Sequence, residues 1–242
     1  MNLIIDVGNT LIKLAVFDKN LLISKTTSFQ EEFMDDFQNI SNKNKNINNV
    51  IISSVGTISK EDILKIKKKY KTLLLSNKTI VPFINKYKTP ETLGVDRIAL
   101  VSSAAIQYPN KNVLIIDVGS CITYDFLNVN NEYIGGAISP GLELRYKSLN
   151  DYTDKLPLLV PITTNNLIGN TTDSSIHIGV IQGVVNEIKG FISSYKEEYE
   201  EFTIILTGGG SQYLVDSLKN DIFANSNFLL EGLNYILENN KK

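Results

Sequence analysis

Leu3-Ile4-Ile5-Asp6-Val7-Gly8 recurs letter for letter as Leu114-Ile115-Ile116-Asp117-Val118-Gly119, and each copy leads into a second apolar run, Leu11 to Phe17 and Ile122 to Leu127. An apolar run ending in Asp, a glycine that permits a tight reversal, and a further apolar run read as strand, turn and strand. A repeated unit of this kind dictates architecture more strongly than local propensity does. Two copies about half a chain apart predict a duplicated α/β fold. Its lobes would be residues 1–108 and 109–242, with their turns facing one another across a nucleotide cleft.

The remaining pattern fits that plan. The first lobe continues with a strand near Leu21 to Lys25, an amphipathic helix near Gln30 to Ile40, a strand near Val50 to Ser53 and a helix from Ser59. Ser59 and Asp62 there have the spacing of a capping box. The second lobe adds Tyr133 to Ile138, a Pro140-Gly141 turn, a long helix from about Asp173 to Glu198, a strand Thr203 to Leu206 and a final helix from Glu231. Ser41 to Asn49, almost entirely Asn, Lys and Ser, reads as an exposed loop. Ile63, Leu64, Ile66 and Tyr70 punctuate the basic run Lys65 to Lys71 at helical spacing. That makes the run a solvated helix face rather than a nucleic-acid patch.

Composition narrows the class. The chain of 242 residues carries 24 basic and 26 acidic side chains, a net charge of −2, which leaves no electrostatic footprint for nucleic acid or an anionic membrane. One cysteine, Cys121, precludes an internal disulfide and, without Cys or His companions, a zinc site. No basic leader opens the chain, and no apolar run reaches the ~20 residues of a membrane span. The expectation is a cytoplasmic protein with a small-molecule partner.

Four motifs carry chemistry. Asp6-Val7-Gly8-Asn9-Thr10, with Lys13 just beyond, places a carboxylate at a strand end before a turn whose N–H groups can hold phosphate oxygens. In such a site Asp6 would hold Mg²⁺, through water, while Asn9, Thr10 and Lys13 steady the phosphates. In the second copy Asp117, Gly119, Ser120 and Thr123 repeat the carboxylate, the flexible turn and the hydroxyls. Gly94-Val95-Asp96-Arg97 sets a carboxylate beside a guanidinium at the start of a helix, as either a simple cap or a candidate base. Thr207-Gly208-Gly209-Gly210-Ser211 follows an apolar strand and reads as a helix-opening loop that backbone could lay along a nucleotide. His177, the single histidine, and Cys121 read as structural, Cys121 as a small buried hydrophobe.

Asp6 to Thr10, the Gly94 to Arg97 tetrad, Asp117 to Thr123, Gly135-Gly136 with Pro140-Gly141, and Thr207-Gly208-Gly209 occur in the order seen in type III pantothenate kinases, and the chain resembles that family from Met1 to about Leu237. The resemblance implies an actin-like (ribonuclease H-like) ATPase fold and a homodimer that phosphorylates pantothenate with ATP, the first step of coenzyme A synthesis. It places the ATP-phosphate motif on Asp6, Val7, Gly8, Asn9, Thr10, Leu11, Ile12 and Lys13, and a second phosphate hydroxyl on Ser120. The proton acceptor falls on Asp96, and the pantothenate pocket on Tyr87, Gly94, Val95, Asp96, Arg97 and Thr172. Asp117 takes the monovalent cation, K⁺ or NH₄⁺.

Two departures stand out. Ser120-Cys121 replaces the usual Thr-Ala, and Gly169-Asn170-Thr171-Thr172 replaces Gly-Lys-Asn-Thr, so Thr171 competes with Thr172 as the contacting residue. The dimer expectation begins with the long helix, where Ile176, Val180, Val184, Ile188 and Ile192 recur beside Gly179 and Gly183; packing on its own sheet takes part of that face, and the resemblance to a dimeric family decides for a second helix. A sugar-type kinase or a non-catalytic nucleotide-binding regulator of the same fold are the alternatives, and the tetrad at Gly94 disfavours both.

Overall fold

The computed structural model describes residues 1–218 and 222–241. The chain forms two compact units, Met1–Pro109 together with Asn227–Lys242, and Asn110–Ser226.

The first unit opens with β1 (Asn2–Val7), β2 (Ile12–Asp18), β3 (Leu21–Ser28), α1 (Phe33–Lys43) and β4 (Asn49–Ser54). It continues with α2 (Lys60–Lys69), β5 (Lys71–Leu74), a short β6 (Ile84–Asn85) and α3 (Val95–Gln107). The sheet order is β3-β2-β1-β4-β5. β1 runs antiparallel to β2 and parallel to β4, so it lies at the centre, and all of its residues are buried. A strand covered on both faces needs a continuous apolar run rather than alternation, which is the pattern Leu3-Ile4-Ile5 has. Phe33, Phe37 and Ile40 of α1 close one face over Leu3, Ile5, Val7, Leu14 and Val50.

Ser59 caps α2 as its spacing predicts, its Oγ accepting the Asp62 N–H at 3.0 Å. Only Ile66 of α2 is buried, so the lysines are solvated, as expected. The Ser41 to Asn49 segment departs from the expected loop. α1 runs on to Lys43, Ser41 is buried and accepts a hydrogen bond from the Tyr70 hydroxyl, and Ile47 joins the core. One isoleucine and one aromatic partner suffice to anchor a segment whose composition is otherwise that of a linker.

The second unit contains β7 (Val113–Val118), β8 (Cys121–Leu127), β9 (Glu132–Pro140), α4 (Leu142–Asp151), α5 (Thr172–Glu198), β10 (Thr203–Thr207), α6 (Val215–Leu218) and β11 (Phe223–Ala224). The order β9-β8-β7-β10-β11 repeats the first unit strand for strand and sense for sense. Register repeats too. Asp117 pairs Thr123 and Thr207 where Asp6 pairs Lys13 and Ser53.

Two expectations need correction. Ile176, Val180, Val184, Ile188 and Ile192 of α5 are all buried in the unit's own core with Leu114, Ile116 and Tyr124, so this stripe is not a surface for a second helix. An apolar row at this spacing is the stripe by which a helix packs on its own core. The second correction concerns the last helix, α7 (Phe228–Asn239), which packs in the first unit rather than completing the second. A Cβ on Gly232 would lie 1.9 Å from the Ala99 carbonyl oxygen, so α7 and α3 meet backbone to backbone. The buried Asn234 accepts from Asn2 Nδ2 at 2.7 Å and donates to the Lys19 carbonyl at 2.8 Å, pinning α7 to the first sheet. Among the described residues no helix is long and apolar enough to cross a membrane.

Candidate functional site

In the first unit the site is built at the carboxyl end of β1. Asp6 is 6% exposed, and Lys13, opposite it on β2, brings its Nζ to 3.9 Å from the carboxylate. The turn between the strands is closed by the Gly8 N–H donating to the Leu11 carbonyl at 3.1 Å. Asn9, Thr10 and Leu11 are exposed on that turn, whereas the Val7 and Ile12 side chains are buried, so those two can offer a ligand only their backbone.

A support not foreseen from sequence lies beneath the turn. The Val55 and Gly56 N–H groups both donate to the Val7 carbonyl, at 3.1 and 3.0 Å. A Cβ on Gly56 would sit 2.1 Å from the Gly8 oxygen. Gly56 is therefore the residue that lets the loop after β4 lie flat against the Gly8 to Leu11 turn. The only sequence signal for it was a small-residue run, Ser53 to Gly56, after an apolar strand.

The second component is the start of α3. Gly94 is its N-cap, and its missing side chain leaves room for the Asp96 carboxylate, which a Cβ there would meet at 2.4 Å. Asp96 Oδ1 accepts the Arg97 N–H at 2.8 Å. The Arg97 guanidinium, on a buried residue, lies 5.5 Å from the centroid of the Tyr87 ring, a cation–π placement that ties the tetrad to the segment before it. Tyr87 is itself held by its N–H donating to Asn85 Oδ1 at 2.9 Å.

Electrostatics joins the two components. Burial pushes the Asp6 carboxyl up from its ordinary 3.8 to about 6, with Lys13 and the Ser53 hydroxyl pulling down and the Asp96 charge adding to the rise. Asp6, Lys13 and Asp96 thus share one local field, and the site has an excess of negative charge that a cation would relieve. Among the described residues no three His, Cys, Asp or Glu side chains converge. A divalent ion here would take one or two carboxylates and fill its shell from water and phosphate, the usual arrangement for Mg²⁺ with a nucleotide.

In the second unit Asp117 ends β7, half-buried. The Thr123 hydroxyl opposite it is buried and has no hydrogen-bond partner in the protein. Three glycines clasp this turn. Gly208, at φ 90°, leaves no room for a Cβ, which would meet Asp117 Oδ1 at 2.4 Å. Gly141 would meet the Gly119 and Ser120 carbonyl oxygens at 2.3 and 2.5 Å, and Gly210 would meet a Val118 methyl at 2.7 Å.

Ser120 is exposed, and so is Cys121, against the expectation that the thiol is buried. Cys121 follows the turn directly as the first residue of β8, before the sheet's cover begins. The glycine run opens a 3₁₀ turn, Gly209–Tyr213, rather than an α-helix.

At the start of α5 the Thr171 hydroxyl is engaged as the N-cap, accepting the Ser174 N–H at 3.1 Å, whereas Thr172 is exposed. His177 Nδ1 lies 2.9 Å from the Tyr146 hydroxyl, a structural pairing.

Comparison with known proteins bears on this arrangement. The sequence profile of the type III pantothenate kinase family matches residues 2–194. A type III pantothenate kinase of Christiangramia forsetii is 53% identical over 241 residues, covering 100% of this chain and 99% of its own. One from Flavobacterium johnsoniae is 46% identical, covering 96% of each chain. Among solved structures, a candidate Baf family transcriptional activator from Campylobacter jejuni superposes with a TM-score of 0.66 at 19% identity, covering 98% of both chains. A ROK family glucokinase from Streptomyces griseus superposes with a TM-score of 0.54 at 9% identity, also covering 98% of both. At such identities the structural likenesses bear on the fold alone.

Proposed function

The chain belongs to the type III pantothenate kinase family and is a kinase that phosphorylates pantothenate in coenzyme A biosynthesis, and from this premise we propose how its residues divide the work. The observation that carries the proposal is the shared field of Asp6, Lys13 and Asp96, two carboxylates and an ammonium around a glycine turn.

The Gly8 to Leu11 turn presents backbone N–H groups and the Asn9 and Thr10 side chains to the phosphates of ATP, with Lys13 beside them. Asp6 would hold Mg²⁺, through water, and the ion would supply charge neutralisation on the phosphates. Asp96 accepts the proton of the pantothenate hydroxyl as it attacks the γ-phosphorus in line. Arg97, braced by Tyr87, orients the anionic substrate, and Gly94 and Val95 give backbone to the same pocket. Phosphoryl transfer asks for little covalent help, so positioning and charge do most of the catalysis.

In the second unit Ser120 would donate to an ATP phosphate and Asp117 would hold a monovalent cation, K⁺ or NH₄⁺. The buried, unpartnered Thr123 hydroxyl is the feature that fits such an ion. The working unit is a homodimer in which Thr172 of one chain completes the pantothenate pocket of its partner. Thr172 is preferred over Thr171 because the latter's hydroxyl is committed to its helix cap. The surface that supports a dimer is not the buried stripe of α5 but its open glycine face, where Gly179, Gly183 and Gly190 have nothing within 4 Å of an added Cβ. We place the enzyme in the reducing cytoplasm.

The test is ATP consumption in a coupled assay with pantothenate and, separately, glucose and N-acetylmannosamine, on wild type and Asp96→Asn. Turnover with pantothenate alone, lost in the variant, is expected. Turnover of a sugar, or an active Asp96→Asn enzyme, overturns the assignment.

A further inference from the structure

Away from the two acidic turns, one cluster of titratable groups has no part in the mechanism above. It centres on Glu187, a half-buried carboxylate midway along α5, whose inward neighbours Val184 and Ile188 are apolar. Its Oε1 accepts from the Tyr124 hydroxyl at 2.8 Å and from the Ser139 hydroxyl at 2.5 Å. Its Oε2 pairs with the Arg145 guanidinium. Four elements, β8, β9, α4 and α5, meet on this single side chain. Burial pushes the carboxyl up, but the Ser139, Arg145 and Tyr124 donors outweigh it and hold Glu187 below its ordinary range, so it stays ionised.

The cluster leads directly to the second phosphate turn. Arg145, while paired with Glu187, donates from Nε to the Pro140 carbonyl at 2.8 Å, and its backbone N–H donates to the Gly141 carbonyl at 3.1 Å. Gly141 in turn donates its N–H to the Ser120 carbonyl at 3.1 Å, with no space for even a methyl group between it and the turn. Pro140 also stands opposite Cys121 in the strand register. Each link is a charge-assisted or backbone hydrogen bond. A shift of Arg145 is therefore transmitted to Ser120 with little slack.

We propose that Glu187 is a positioning residue for ATP: through Arg145 it clamps the Pro140–Gly141 turn against Ser120 and so fixes the hydroxyl that meets the phosphate. The inference rests on the reading that Ser120 contacts ATP. In Glu187→Gln the amide keeps the size, but either its NH₂ opposes the Arg145 guanidinium or, flipped, it meets Arg145 with an uncharged oxygen and makes the Tyr124 and Ser139 hydroxyls turn from donors to acceptors. The clamp loosens in both orientations.

The experiment measures KM for ATP and for pantothenate in Glu187→Gln, Ser120→Ala and the double variant, at a temperature where all are folded by circular dichroism. KM for ATP should rise about tenfold in Glu187→Gln, the effect of about 1.4 kcal/mol of lost binding. KM for pantothenate should change far less. Because the effect runs through Ser120, the double variant should bind ATP no worse than Ser120→Ala alone. Arg145→Lys, which keeps the charge but cannot brace both Glu187 and the Pro140 carbonyl, should reproduce the ATP defect and serves if Glu187→Gln does not fold. A lowered Tm with an unchanged KM for ATP, or additive effects in the double variant, reduces the cluster to a structural staple and overturns the proposal. An unaffected Ser120→Ala would instead remove the phosphate role of Ser120, and the inference with it.

Discussion

Replacing Asp6 by Asn should make the ligand-free protein more stable at neutral pH while abolishing its response to Mg·ATP. Asp6 is almost fully buried, and its carboxyl titrates at about 6 in the folded chain against an ordinary 3.8. That gap of about 2 pH units, at about 1.4 kcal/mol per unit, makes the ionised carboxylate a burden of about 3 kcal/mol on the fold. The sign follows from proton binding. Between pH 3.8 and about 6 the folded state holds a proton that the unfolded state has lost, so stability falls as pH rises through this window and levels off above it. Asn carries no such dependence. Urea unfolding at pH 4, 5, 6 and 8 should show the two proteins nearly equal at pH 4 and the variant ahead by about 3 kcal/mol at pH 8. Thermal shifts with Mg·ATP should then stabilise wild type and not the variant. A stability difference that is flat with pH, or a wild type that is the more stable protein at pH 8, would refute the account of Asp6 as a carboxylate held charged for a cation.

Asp96→Asn should lower kcat by about 10²- to 10⁴-fold while ATP binding, followed by isothermal titration, stays within a few-fold of wild type. Gly232→Ala places a methyl where the Ala99 carbonyl stands, so it should cost about 2 kcal/mol and lower Tm by about 4–8 °C. An unchanged melting curve would mean α7 is not tightly seated. K⁺ or NH₄⁺ should activate and Na⁺ should do so poorly, an effect removed by Asp117→Asn. Equal rates in sodium and potassium buffers would leave Asp117 a structural turn residue.

How much of this was legible depended on whether a feature is local. The duplicated strand-turn-strand units were readable because a central strand needs a continuous apolar run and each such run ends in the same Asp-x-Gly. The Ser59 cap was readable because capping is a contact between residues three apart. The apolar stripe of α5 was visible, but its partner was not, since periodicity reveals a buried face and not whose core buries it. The place of α7 was hidden for the same reason. Gly56 was missed because it acts on the backbone of Gly8, far away in sequence, and a glycine in a loop announces nothing. Cys121 was misjudged from residue type, where its position at the first residue of a strand decided its exposure.

The seating of α7 on α3 has a consequence for how the protein is made. The helix that presents Asp96 and Arg97 is covered by residues more than a hundred positions later, through contacts at Gly232 that leave no room for a side chain. While the polypeptide is emerging from a ribosome, α3 is complete more than a hundred residues before α7 exists. At about 5–20 residues per second that interval lasts on the order of 6–24 s. The unit begun first is thus the unit finished last, and α3 waits with an apolar flank uncovered until α7 has been made. Vectorial folding cannot seat α3 early, and a chain released before Phe228 would keep both acidic turns but leave the helix that carries Asp96 without its cover.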